Sequence, residues 1–311
     1  MRRLLVTGLH GFVGSCLARM GAVASGLQPW QLAEVPIDLD LREPEQVQHL
    51  VETAQPNAVL HLAALSNVPD SFREPETTLA VNLFGTLHLL QALKRIRFAG
   101  PIAFVSSGDV YGLVPESELP ITESRPPAPR NPYAVSKVAA EALCKQWSAT
   151  EGMDIRIARS FNHIGPGQSD SFVASSLARQ IAAIKAGRRA AVLEVGDIDV
   201  TRDFSDVCDV VRAYLLLLEH GEPGEIYNVC SGIERSIRQL IERMTRIAGV
   251  DVDVRQELSR LRPAEQRRVC GSSAKIRSVT GWEPLTPLDE SLKLLLEYWS
   301  NQDAALEGHL S

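Results

Sequence analysis

In the first half of the chain, short unbroken apolar runs alternate with longer stretches in which apolar residues return every three or four positions. Leu4-Leu5-Val6, Ala58-Val59-Leu60-His61-Leu62 and Ile102-Ala103-Phe104-Val105 read as buried parallel strands. A parallel sheet is covered by helices on both faces, so continuous runs replace the alternation of a half-exposed strand. Between them, Leu79, Leu83, Leu87, Leu90 and Leu93 predict a helix over residues 77–95. A shorter helix is expected over 43–51, an Ala-rich one over 134–147 after the Pro-rich stretch 125–132, and a strand over 154–159. This alternation predicts an α/β chain with a doubly wound parallel sheet. Only residues 30–35 are available as a strand between the first helix and Asp38, so this side of the sheet is abbreviated.

The texture changes after about Asn162. Gly165-Pro166-Gly167 breaks the chain, a helix is expected over 172–186, and short elements follow. The division expected is residues 1–160 as a first domain, 161–300 as a smaller C-terminal lobe with some elements returning to the first, and 301–311 as a polar tail. The longest apolar run, residues 214–218, is far below the roughly 18 residues that cross a bilayer, so no membrane partner is expected. Arg2-Arg3 and three apolar residues begin like a leader, but Gly8, His10 and Gly11 interrupt it.

Charge and cysteines narrow the classes. The 311 residues carry 32 Lys+Arg against 38 Asp+Glu, a net −6, which disfavours nucleic acid as a partner. One anionic small molecule remains compatible through a local cluster such as Arg255, Arg260, Arg262, Arg267 and Arg268. Cys16, Cys144, Cys208, Cys230 and Cys270 are an odd number without a C-x-x-C pair. Neither a disulfide framework nor a metal site is indicated, and a reducing cytoplasm is expected.

Two segments carry chemistry. Gly8, Gly11 and Gly14 follow the first strand with G-x-x-G-x-x-G spacing and open a helix with Phe12 and Val13. Small residues there let a helix N-terminus approach a pyrophosphate. Asp38, followed by Leu39, reads either as an adenine contact or as a turn or N-cap before the helix over 43–51. No acidic residue or Arg is identified at the end of the second strand, which leaves NAD against NADP open. Tyr133 and Lys137 are four apart at the mouth of a helix and so share one face. A nearby ammonium is expected to lower the phenol toward a range useful in acid–base work. Upstream, Ser107 supplies a hydroxyl at a strand end.

Together these segments resemble the extended short-chain dehydrogenase/reductase family. His61-Leu62-Ala63-Ala64, Asn82 in Val-Asn-Leu-Phe-Gly-Thr, and Asn131-Pro132-Tyr133 fall where that family places them, and the match runs from about Leu4 to Trp282. The resemblance implies a Rossmann-type sheet with a smaller C-terminal substrate-binding lobe. It assigns Ser107, Tyr133 and Lys137 to catalysis, with Tyr133 moving the proton and Lys137 on the nicotinamide ribose. Gly8, Gly11, Phe12, Val13, Gly14, Asp38, Leu39, Leu62, Ala63, Ala64 and Asn82 would line the cofactor, NADPH or NADH, with NADPH preferred. Family members pair as homodimers through the helices around 77–95 and 134–147.

The second half resembles members that bind nucleotide sugars. By that likeness Asn162 contacts the diphosphate, Arg202 and Arg262 clamp phosphate, Glu265 meets the nucleoside ribose, Arg179 is a further candidate, and Ser107 with Asp109 faces the sugar. Arg202 also reads as a surface partner of Asp203 or Asp206. Phe161-Asn162-His163-Ile164-Gly165-Pro166-Gly167-Gln168 and Tyr227-Asn228-Val229-Cys230-Ser231-Gly232 are most similar to reductases of GDP-4-keto-6-deoxy-D-mannose, which form GDP-D-rhamnose. The alternatives are a GDP-mannose 4,6-dehydratase, another nucleotide-sugar 4-epimerase or reductase, and a non-catalytic dinucleotide sensor. Dehydratases place extra acid–base groups just after the catalytic Thr, ending in Glu. Here those positions are Gly108 and Asp109, which favours plain ketone reduction.

Overall fold

The computed structural model describes residues 2–22, 28–257 and 266–308. In chain order its first half comprises β1 (Arg3–Thr7), α1 (Phe12–Arg19), β2 (Gln31–Leu32), α2 (Pro44–Ala54), β3 (Ala58–His61), α3 (Val68–Arg73) and α4 (Pro75–Leu79). A π-helical turn (Ala80–Phe84) leads into α5 (Gly85–Arg95), followed by β4 (Ile102–Ser107), α6 (Pro132–Glu151), β5 (Ile155–Ser160) and β6 (Asn162–Ile164). Then come α7 (Val173–Lys185), β7 (Val192–Val195), β8 (Thr201–Asp206), α8 (Val207–His220), β9 (Ile226–Val229), β10 (Glu234–Ser236) and α9 (Ile237–Ala248). β11 (Asp253–Gln256), α10 (Ala274–Thr280) and α11 (Leu288–Gly308) complete the described chain.

The apolar runs form the middle of a six-stranded sheet in the order β2-β1-β3-β4-β5-β9, with every neighbouring pair parallel. Side chains alternate along β1: Leu4 and Val6 enter a core with α1 and α8, while Leu5 enters the opposite core with α2, α5 and α6. Both faces are covered, which is why the runs are apolar throughout. This is the Rossmann-type architecture, and β9, α8 and α10 bring the later chain back to it. A third core joins α7, α9 and α11 to β7 and β8, beside a three-stranded sheet β10-β8-β6 and the pair β11-β7.

Two elements differ from the periodicity. Residues 77–95 are not one helix, because the wider π turn interrupts it and carries Asn82. Of residues 30–35, only Gln31 and Leu32 pair as a strand, so the abbreviated side is a two-residue edge.

Candidate active site

β1 runs directly into the glycine segment. Gly8 has φ +75°, and a Cβ there would lie 2.9 Å from the Ala63 nitrogen. At Gly14 a Cβ would meet the Gly8 and Leu9 carbonyl oxygens, each at 2.4 Å. Gly11 caps α1 without a side chain, so the first amides of α1, at Phe12 and Val13, are left to an outside acceptor. These close approaches make a cradle that fits a dinucleotide pyrophosphate. Leu62 and Ala63 are tied to it, since the Leu62 amide donates to the Thr7 carbonyl at 3.2 Å and the Ala63 amide to Thr7 Oγ1 at 3.3 Å. Leu39, Leu9 and Ala63 are partly buried against the core that holds Leu5, and Ala64 is half-buried. Asp38 is exposed, and it is not the N-cap of α2; Glu43 holds that place because Pro44 opens the helix.

Asn131 and Pro132 set the position of Tyr133. The Asn131 side chain accepts the Ala134 amide at 2.7 Å, and Pro132 supplies a pre-set φ at the helix start. Tyr133, Lys137 and Glu141 therefore lie along one face of α6, and all three are buried. Ser107 ends β4, accepts the Asp109 amide at 3.1 Å, and hydrogen-bonds the Tyr133 phenol. The lysine Nζ donates to the Val105 carbonyl at 2.7 Å. Ser107, Tyr133 and Lys137 are thus gathered at the end of β4.

The electrostatics correct one expectation. Tyr133 is pushed upward, first by burial and then by the Asp109 carboxylate, with the Ser107 hydrogen bond pulling the other way. Lysine does not bring the phenol down here; burial instead lowers Lys137 itself to about 8. Its Nζ is turned to the strand carbonyl, and the phenol sits where a negative charge is costly. Tyr133 is a phenol that holds its proton.

Three supporting groups were not legible as such. Burial lowers His61 to about 3, so the ring is neutral. Its Nδ1 meets Thr7 Oγ1 at 2.6 Å, and its Nε2 meets Thr86 Oγ1 at 3.0 Å. Because Thr86 donates to the Asn82 carbonyl, the ring carries its proton on Nε2. Asn82 was expected against the cofactor, but its amide is spent elsewhere. It accepts from the Leu65 amide and donates to the Leu65 carbonyl and to Ser136 Oγ, which in turn donates to the Tyr133 carbonyl. A buried polar chain thus runs from the glycine segment to α6 at Tyr133. Behind it Arg159 grips Glu141 through Nε and Nη2, at 2.9 and 2.6 Å, and Ser106 donates to the same carboxylate at 2.5 Å. Neither Glu141, eight residues after Tyr133 on α6, nor its partner 18 residues on was singled out by the sequence pattern.

The substrate candidates lie on the second sheet and its neighbours. Asn162 is exposed on β6 opposite Phe204. Arg202 Nη1 donates to the carbonyls of Thr201, at 2.7 Å, and Gln266, at 3.0 Å. The expected pairing of Arg202 with Asp203 is not made through Asp203's oxygens, which are buried and accept the amides of Ser231, Gly232 and Gly271. Arg179 pairs with Asp170 and lies over the Trp299 ring. Arg262 and Glu265, with Arg260, lie outside the described residues. Asp109 is exposed beside Tyr133. Among the described residues no group of His, Cys, Asp and Glu is arranged to hold a metal.

Comparison with known proteins bears on this geometry. The family model described as GDP-mannose 4,6 dehydratase matches residues 31–295. The GDP-6-deoxy-D-mannose reductase of Pseudomonas aeruginosa is 54% identical over 301 residues, covering 97% of this chain and 98% of its own. The solved structure of RMD from Pseudomonas aeruginosa complexed with NADPH superposes with a TM-score of 0.92 at 54% identity, over 97% of this chain and 100% of that one. A GDP-mannose 4,6-dehydratase of Vibrio cholerae is 29% identical over 282 residues, covering 81% of this chain and 75% of its own. A glycine cradle, a buried Tyr–Lys face ending at Ser107 and these matches lead to one conclusion: the chain belongs to the extended short-chain dehydrogenase/reductase family, within the group that the GDP-mannose 4,6 dehydratase model describes.

Proposed function

We propose that this protein reduces the C4 ketone of GDP-4-keto-6-deoxy-D-mannose to GDP-D-rhamnose, using NADPH, the cofactor held by the solved relative. The observation that carries the reading is at Gly108. A Cβ there would stand 3.2 Å from the Phe161 ring, so the position after Ser107 has little room for the added acid–base group that water elimination requires. Phe161 is buried and packs with Tyr111 and Cys230, which limits its retreat. Ketone reduction needs no such group.

When bound, the reduced nicotinamide supplies the hydride that adds to C4. Tyr133 donates the phenolic proton to the oxygen at C4. Its raised proton affinity keeps it protonated until that oxygen becomes more basic than a phenolate. Ser107 Oγ donates to the same oxygen and stabilises the developing charge. Lys137 has given one hydrogen to Val105, so its others are available to the cofactor's ribose hydroxyls. Gly8, Gly11 and Gly14, with the Phe12 and Val13 amides, receive the pyrophosphate. Leu62, Ala63 and Ala64 line the nearby strand end, Leu39 and Asp38 the adenine side, and Asn82 positions Leu65 and Ser136. Residues 161–300, apart from α8, β9 and α10, which return to the first sheet, form the lobe for the GDP moiety, with Asn162, Arg179, Arg202, Arg262 and Glu265 as its polar contacts and Asp109 beside the sugar.

Phe72, Phe84 and Val135 are exposed on α3, the π turn and α6, which pack together, and this apolar face supports a homodimer. Five free cysteines support a reducing, cytoplasmic setting. The test mixes the protein with GDP-4-keto-6-deoxy-D-mannose and NADPH. One NADPH should be oxidised per sugar reduced. Rapid conversion of GDP-mannose without added reductant overturns the reading in favour of the dehydratase.

A further inference from the structure

Cys16 and Cys208 are 192 residues apart in sequence, yet their sulfurs stand 3.1 Å apart. Cys16 is buried on the inner side of α1, among the residues that pack against Val207, Val210 and Val211. Cys208 is the second residue of α8 and is exposed. A disulfide needs about 2.05 Å between sulfurs, so a closing movement on the order of 1 Å links them. Cys144, Cys230 and Cys270 have no sulfur partner among the described hydrogen bonds, which singles out this pair.

The pair lies where two parts of the site meet. α1 carries the glycine cradle at its N-terminus, and α8 is capped by Asp206, the last residue of β8. Asp206 is in register with Ile164 on β6, the strand that carries Asn162. The contact continues across the front: Phe12 stacks on His163 with ring centroids 5.8 Å apart, and a Cβ on Gly165 would lie 2.5 Å from Val207 Cγ1. A bond between the sulfurs joins the cradle helix to the edge of the substrate lobe.

We propose that Cys16 and Cys208 form a reversible disulfide on exposure to peroxide, a redox clasp that weakens NADPH binding. Loss of one proton from the pair leaves a thiol hydrogen-bonded to a thiolate, and either sulfur can be the donor. The Cys208 hydrogen bond and nearby Arg19 favour the thiolate on Cys16. Passage of the shared proton from Cys208 to Cys16 across the 3.1 Å contact puts the thiolate on the exposed Cys208, whose sulfur then attacks hydrogen peroxide. The S–O bond forms, the O–O bond breaks and hydroxide departs, leaving a sulfenic acid. The Cys16 sulfur then attacks the Cys208 sulfur; the S–S bond forms, the S–O bond breaks and water leaves. The sum is two thiols and one peroxide giving one disulfide and two waters, and an added dithiol reverses it. Closing the gap draws α1 toward α8 and shifts the Phe12 and Val13 amides from the geometry the pyrophosphate needs. A displacement of about 1 Å is enough to matter at such a site.

The test treats the whole protein with hydrogen peroxide and maps its peptides without reduction. A linked pair containing Cys16 and Cys208, two hydrogens lighter than the separate peptides and split by dithiothreitol, is expected. NADPH titrated by fluorescence should bind about fivefold or more weakly after oxidation, the scale of an ordinary coupling between sites. Dithiothreitol should restore it, and Cys208→Ser and Cys16→Ser should show neither the link nor the shift. Oxygen added to Cys208 with Cys16 still a free thiol overturns the proposal. So does a linked protein whose NADPH affinity is unchanged. The mass readout stands whatever sugar the enzyme reduces, so failure here is separate from failure of the proposed function.

Discussion

At the end of β4, Tyr133 and Lys137 are buried and meet a hydroxyl and a strand carbonyl, with the Asp109 carboxylate beside the phenol. In the C-terminal lobe, Arg179 and Arg267 are exposed and Arg268 is half-buried, and each sits on a carboxylate: Asp170, Asp197 and Glu234 respectively. The two regions solve different problems. A proton donor must hold a displaced proton affinity, and burial among fixed dipoles provides that. An anion site must attract charge and then release it. Exposed ion pairs are worth only about 0–1 kcal/mol, so a diphosphate can replace the carboxylates at small cost. The chemistry is rigid and the binding is exchangeable.

The strongest way to break this contrast is Tyr133→Phe. Only the phenolic proton is lost, so turnover should fall by about 10²–10⁴-fold while NADPH and GDP still bind. Single-turnover reduction with matched binding titrations checks it, and near-normal turnover would remove Tyr133 from the reaction. Next is the buried support. Glu141→Leu leaves Arg159 charged and unpaired where its side chain is only 2% exposed, a loss of about 3–5 kcal/mol of stability. Urea unfolding measures it, and the double variant Glu141→Leu with Arg159→Met should recover most of the loss. A single variant as stable as the wild type means that the pair is dispensable.

In the lobe the effect should appear in binding. A diphosphate is charged in both ground and transition states, so Arg202→Ala should raise KM with kcat little changed. Hydrogen bonds to charged groups are worth about 1.5–3 kcal/mol, which corresponds to a rise of about 10–150-fold. Unchanged GDP affinity would make Arg202 a brace between Thr201 and Gln266 and nothing more. The smallest effect is in pH. Burial lowers Lys137 from 10.5 to about 8, so its ammonium is present below that pH and lost above it. The kcat/KM profile should therefore decline above about pH 8, several-fold by pH 9, as the ribose contact loses its charge. A profile flat to pH 10 would show that the lysine keeps its charge throughout the working range.

The sheet was legible because its signals are local. Uninterrupted apolar runs mark strands covered on both faces, and glycine spacing marks the turn at β1, whereas α6 begins at Pro132, two residues before the Ala-rich run placed it. Each of these signals depends on residues within one or two turns of each other. The interruption at Asn82 was hidden for a related reason. A π turn keeps the helical periodicity of the leucines while adding a residue to the turn, and periodicity alone does not resolve that difference.

By itself, then, the sequence determined the alternation of strands and helices in the first half, the glycine segment that opens α1 and the helical face shared by Tyr133 and Lys137. Those follow from backbone propensity and from side-chain period, which neighbouring residues decide. Tertiary structure alone decided the direction in which Tyr133 is displaced, because that depends on how deeply the phenol is buried and on Asp109 arriving from another element. It alone joined Thr7 to His61 across 54 residues, Tyr111 to Asn228 across 117 and Cys16 to Cys208 across 192. Electrostatic and hydrogen-bond partners act over a few ångströms of space, and only the folded chain sets which distant residues share them.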